Sequence, residues 1–305
     1  MLKKLLPYWG LLPVAAAFAL LLLLPAAAAE GARAGLALCA GVVVPSLLPF
    51  LILSGLAAAL GLPELLAELL APLWRSLRIP PVCAAPLLLG LLGGYPVGAA
   101  ALAALVKSGD LSPEEATRAL PWCSNTGPGF IIGFAGAGVF GSVRAGLMLY
   151  LCHLLAALIL AFSSGRRRRD AAPSRPSAPV PSLAEALPEC VRSAAMNMLC
   201  ICAYVVFFSV LSAFLRAVGI TSPLAVGILE LSQGVAALRG AAAGPCSAAL
   251  CAFLLGFGGL SVHCQTLYAV SGTGIKCARH FAGRIVDGLI SALLAFALFS
   301  MLPQI

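Results

Sequence analysis

A lone carboxylate interrupts an apolar run. Glu230, in GILELSQG, sits between Leu229 and Leu231, and no basic residue is nearer in sequence than Arg239. Such a group at membrane depth is costly and marks a functional position by default. It can bind a proton or a sodium ion, or accept hydrogen bonds from a solute. The alternative is a charge at the water interface of an amphipathic helix. Gln233, one turn on, shares its helical face. A second polar group is Ser261, His263 and Gln265 in GGLSVHCQT. A histidine there can shuttle protons or donate to a solute, or it can bond a neighbouring helix.

Two further stretches carry chemistry through the backbone. PWCSNTGPGFIIG (121–133) places Ser124, Asn125 and Thr126 before Gly127, Pro128 and Gly129, and returns at once to apolar residues. GGYPVG supplies Gly94, Tyr95 and Pro96 inside another apolar run. Proline lacks an N–H and clashes with the preceding turn, so both stretches predict broken helices. Freed backbone groups in hydrocarbon are tolerated only beside protein or a water-filled cavity. Half-helix N-termini carry partial positive charge and suit a carboxylate. The reading is a discontinuity lining a solute cavity; a kink stabilised by neighbouring helices is the alternative. Asp287 is placed to pair with Arg284, one turn away, in an architectural role. His153 reads as a packing histidine. Gly94–Gly98 and Gly129–Gly133 have the spacing of close helix approach.

The elements that hold these residues follow from composition. The chain has 305 residues, 61% hydrophobic and only 10% charged, against about 25% charged in soluble domains. Its mean hydropathy is +1.04. The fold class is therefore an all-α polytopic membrane protein. Eleven cysteines lie mostly in apolar runs with no CxxC, which argues against a disulfide framework or a zinc site. The net charge of +8 is clustered, with Lys3 and Lys4 in one block and Arg166, Arg167, Arg168 and Arg169 in another. Cytoplasmic loops collect such residues. Nucleic acid is not an expected partner, since no aromatic residues interleave the arginines.

Periodicity and punctuation divide the chain at 1–33, 34–162, 163–182 and 183–305. The first unit is a membrane helix, about 5–29, with a signal-like look. A span over 34–60 follows, then an interfacial or re-entrant helix over 63–78 with leucines at helical spacing. The segment 82–106 reads as an interrupted crossing. Residues 112–120 form a short helix with Ser112 at N-cap, Pro113 at N1 and Glu115 at N3. A Gly-rich apolar segment (129–141) and a span over 143–162 close the first half. Residues 163–182 are a basic Pro/Ser-rich linker that buries nothing. The second half has a span at 194–218, a segment at 222–239, an interrupted crossing at 245–270 and a span at 284–302. LLLGLLGGYPVGAAALAALV matches AFLLGFGGLSVHCQTLYAV, and the segments opening at Pro63 and Pro223 match each other. With the basic blocks inside, the halves run in opposite directions. Two inverted-topology repeats with broken or re-entrant helices are the architecture of many secondary transporters.

The stretch from GGYPVG to FAGAGVFG, with GILELSQG and GFGGLSVHCQ, resembles the sporulation integral membrane proteins built from nucleoside-recognition (Gate) domains, over about 35–300. More distantly it is similar to spore maturation proteins and concentrative nucleoside transporters. The resemblance implies a role in endospore formation and transport of dipicolinate across the outer forespore membrane. A dicarboxylate would then engage opposed half-helix N-termini, with Tyr95 or Phe257 against its ring. The candidate solute-binding residues are Gly94, Tyr95, Pro96, Ser124, Asn125, Thr126, Gly127, Glu230, Gln233, Ser261, His263 and Gln265. No catalytic or metal residue is expected: the sequence has no GxSxG, HExxH or SxxK, and Ser261 and His263 are only two apart. No cofactor is expected beyond a coupling proton or sodium ion. The expected partners are the bilayer, a small solute and a second copy in a homo-oligomer. A nucleoside-type solute and a structural subunit of a sporulation membrane complex are the alternative functions.

Overall fold

The computed structural model describes residues 11–164 and 181–302, and among these every regular element is helical. Five helices are long and apolar enough to cross a membrane: Pro25–Ala59, Val143–Ser164, Leu183–Ala217, Pro245–Ala269 and Ala278–Met301, the fourth of them interrupted. Lys3, Lys4 and Arg166–Arg169, on which the orientation argument draws, lie outside the described residues.

The first correction concerns the N-terminal spans. Helix α1 (Leu11–Leu23) ends at Leu24, and α2 runs without a turn over Pro25–Ala59. The turn expected at residues 30–33 is absent because Glu30 and Arg33 sit exposed on a continuing helix. At 35 residues this helix is about 52 Å long, so its charged first turns extend past an apolar core of about 30 Å.

After α2 come two short helices, α3 (Leu62–Leu69) and α4 (Ala71–Ser76). Trp74 is buried, whereas Leu65 and Leu69 are exposed. The segment lies against the next hairpin with an apolar edge left open, as an interfacial helix would.

The second correction concerns 82–106, which does not cross. Helices α5 (Pro81–Gly93) and α6 (Val97–Ser108) fold back on each other as a re-entrant hairpin. A methyl built on Gly98 would lie 2.9 Å from the Gly90 Cα, and both glycines press on the Cys123 carbonyl. The crossing is made by the next pair, α7 (Pro113–Cys123) and α8 (Gly129–Val139), separated by the 124–128 break. Ser112 and Glu115 form the expected capping box at the start of α7. Helix α8 has π winding, and α9 (Val143–Ser164) returns.

The second half repeats this order. Helix α10 (Leu183–Ala217) starts at a second capping box, Ser182 with Glu185. Helices α11 (Pro223–Leu229) and α12 (Leu231–Ala236) form the second hairpin, hinged at Glu230, with Gly234 packed directly on Gly227. Helices α13 (Pro245–Phe257) and α14 (Gly259–Ala269) are the second broken crossing, and α15 (Ala278–Met301) is the last span. Each half is thus hairpin, broken crossing, unbroken crossing. The repeat register differs from the one expected from sequence: 222–239 corresponds to 81–108, and 245–269 corresponds to 113–139.

The long helices α2 and α10 are antiparallel. Gly31 meets Ala213, Gly35 meets Ser209, and Gly55 meets Cys190. The loop before α15 returns to the start of α7, where the Lys276 N–H donates to Thr117 Oγ1 (3.0 Å). Following the chain between these fixed points gives the two hairpins opposite entry sides. Arg75, Arg78, Lys107, Arg118, Lys276 and Arg279 then share one end. Lys107 and Arg118, which a crossing over 82–106 would put at the opposite end, join them because 81–108 turns back.

Candidate functional site

The hairpin tips and broken crossings meet at one place. Gly94 has φ +74°, and a methyl on it would lie 2.9 Å from the Gly127 N. Gly259 has φ +74° and touches the Gly227 carbonyl and the Leu231 N. Each hairpin tip therefore seats on the break of its own half, at positions where only glycine is relaxed. At this meeting point two contacts join the halves. Gly258 abuts the Tyr95 hydroxyl, and Thr126 Oγ1 donates to the Leu255 carbonyl at 2.8 Å. That carbonyl is one of the last four of α13, which lack a regular intrahelical donor.

Between the breaks lies a cavity of about 40 Å³, room for two or three waters at about 10–15 Å³ each. Tyr95, Thr126 and Gly127 line it from the first half; Glu230, Ser232 and Gln265 line it from the second. Val43 and Leu47 of α2, with Ile201 and Val205 of α10, close it with apolar surface.

Glu230 is 1% exposed. Its backbone is extended (φ −137°, ψ 111°), which breaks the hairpin there. Its carboxylate accepts the Gln233 N–H at 2.7 Å and faces the hydroxyls of Ser232 and Ser261. The start of α12 is already capped by the chain's own carboxylate, so in the second half the anionic group belongs to the protein.

The remaining predicted residues divide. Ser261 is fully buried, with no hydrogen-bond partner in bonding geometry. Ser124 and Asn125 are buried behind the cavity wall; Asn125 Nδ2 donates to the Trp122 carbonyl (2.8 Å) and its Oδ1 is unpartnered. Pro96 sits at the start of α6. Gln233 turns away, its Oε1 accepting from Arg216 at 2.8 Å. His263 leaves the cavity for an aromatic cluster with Phe257, Phe281 and His280. Gly129 packs on α2 at Ser46, whereas nothing lies near Gly133.

Sequence reasoning missed Ser232, the apolar walls and a buried polar network. His153, read as packing, accepts the Thr126 N–H on Nε2 (3.1 Å). Its Nδ1 then carries the proton and faces Asp287 at 3.9 Å. Asp287 pairs with Arg284 at 3.2 Å, as its spacing indicated. Arg284 is fully buried, donates to the Pro121 carbonyl (3.1 Å) and lies 5.5 Å from the Tyr95 ring centre. A cation there complements the negative end of α7. Histidine 27 residues from its partner and arginine 163 residues from its carbonyl gave no local signal.

The chain is 27% identical to sporulation integral membrane protein YlbJ of Bacillus subtilis over 329 aligned positions, covering 91% of this chain and 79% of that protein. The chain is therefore similar to a sporulation integral membrane protein over most of its length. The similarity supports a membrane protein with a role in sporulation. No family model and no solved structure matches the chain.

Proposed function

We propose that this chain is a secondary transporter for a small anionic or aromatic solute, dipicolinate in the first instance, coupled to a cation at Glu230. The carrying observation is that breaks from two oppositely directed halves converge on one cavity, where Glu230, Thr126, Ser232 and Gln265 stand among apolar walls. Alternating access needs a site at such a repeat interface. Thr126 and Gln265 supply side-chain hydrogen bonding, and Tyr95 supplies an aromatic face. Two adjacent carboxylates repel in low dielectric, so a dicarboxylate enters only with a proton or sodium ion on Glu230. That requirement is a coupling mechanism. A cavity for two or three waters is smaller than the solute, so the closed arrangement must open at the contacts joining the halves. The basic end faces the cytoplasm by charge asymmetry, and the outer forespore membrane is the proposed location.

A nucleoside-type solute is the second reading, favoured by the carboxylate itself, which accepts hydrogen bonds from sugar hydroxyls without repulsion. Purified protein in liposomes distinguishes the two. Uptake of labelled dipicolinate, driven by an imposed proton or sodium gradient and unaffected by excess nucleoside, supports the first reading. Nucleoside uptake with no dipicolinate uptake supports the second. No uptake of either solute by correctly inserted protein removes the transporter reading and leaves a structural subunit.

A further inference from the structure

A second cavity lies at the basic end, remote from the breaks. It is an open cleft of about 200 Å³ between the start of α7 and the start of α15, and Arg118, Lys276 and Arg279 line it with Thr117 and Glu114. Three cations face one acid. None of the three is in an ion pair among the described residues. The site is built rather than accidental: Thr117 Oγ1 donates to the Pro113 carbonyl (2.7 Å) and accepts the Lys276 N–H (3.0 Å), which fixes the two walls on each other across the halves.

The surface below the cavity indicates what fills it. Arg279, Ala282, Val286, Leu289 and Leu293 follow one another by three or four residues along α15 and share one face. All are exposed, with Val286 at 45%, Leu289 at 52% and Leu293 at 72%. An open apolar stripe thus runs into the bilayer directly from the cation at its end. Basic pockets at helix ends on the cytoplasmic side take anionic headgroups, and cation–phosphate hydrogen bonds are charge-assisted.

We infer that this pocket binds the phosphate diester of an anionic phospholipid, with an acyl chain along the α15 stripe. Because its walls come from α7 and α15, which lead to the 124–128 break and to Arg284, a lipid there braces the two halves at one end. The inference needs only that the chain spans the membrane and is independent of the transported solute.

The test uses purified full-length chain titrated with dioleoylphosphatidylglycerol or dioleoylphosphatidylcholine, read by native mass spectrometry, with inorganic phosphate as a competitor. The expected result is at least about fivefold preference for the anionic lipid. Lys276→Gln and Arg279→Gln, both at exposed positions, should each lower anionic-lipid binding about fivefold, and the triple variant with Arg118→Gln by about a hundredfold. Arg75→Gln, at the same end but outside the pocket, should leave it unchanged. Equal binding of the two lipids, or unchanged binding in both single variants, overturns the proposal. Displacement of the lipid by millimolar phosphate overturns the lipid assignment in favour of a soluble anion.

Discussion

Thr126→Val is the sharpest perturbation of the closed arrangement. Valine matches threonine in shape and leaves the main-chain N–H of residue 126 bonded to His153. It deletes only the hydroxyl that reaches the Leu255 carbonyl at 2.8 Å across the two halves. Thr126 is 3% exposed, so the carbonyl loses a donor where water is scarce. An acceptor left unpaired by such a change costs about 1–3 kcal/mol, a factor of about 5 to 150 in an equilibrium. In the proposed transport cycle that cost falls on the closed state, because opening there breaks the same bond. Thermal stability of purified protein should drop by a few degrees, and reagent labelling of a cysteine placed at Ser232 should speed up. Thr126→Ser keeps the hydroxyl and should stay close to the parent in both assays. Unchanged stability and unchanged labelling in the valine variant would refute the claim that this bond holds the halves shut.

Three further outcomes follow from the same contacts. Gly98→Val puts side-chain atoms where the Cys123 carbonyl sits, so correctly folded protein recovered in detergent should fall severely, while Gly133→Ala, with open space around it, should be silent. Removing one member of the buried Arg284–Asp287 pair leaves an uncompensated charge costing about 3–5 kcal/mol; the double variant Arg284→Met with Asp287→Leu should be more stable than either single change in thermal unfolding. Glu230→Gln keeps an acceptor for the Gln233 N–H and should preserve the hairpin, whereas Glu230→Ala orphans that N–H; both should abolish gradient-driven uptake, and only the alanine variant should lose about 1–3 kcal/mol of stability.

Much of the architecture was legible because its physics is local. Gly94, Pro96, Gly127 and Pro128 announce breaks by their own backbone chemistry, and Glu230 is conspicuous among leucines. What local reasoning could not decide is whether a broken apolar segment crosses or turns back. The window at 82–106 has the length and hydropathy of a crossing. Its reversal depends on Gly90 and Gly98 meeting across the hairpin and clasping the Cys123 carbonyl, a contact between positions far apart in sequence. The same ambiguity shifted the repeat register, since Glu230 and Gly258 each mark a break but only the first marks a hairpin. Glu30 and Arg33 looked like a turn between spans because charge ends a membrane segment. A helix that outruns the bilayer carries them without turning. His153 and Arg284 gained their roles from partners supplied by other helices, which no spacing rule reports.

The central claim is that the cavity shared by the two halves is where the solute binds. An experimental structure of the chain with dipicolinate tests it most directly. The account predicts a widened cavity, with the solute ring against Tyr95, contacts to Thr126 and Gln265, and a cation or proton between Glu230 and the nearer carboxylate. Solute bound elsewhere, with Thr126 still bonded to the Leu255 carbonyl as it is here, would contradict it.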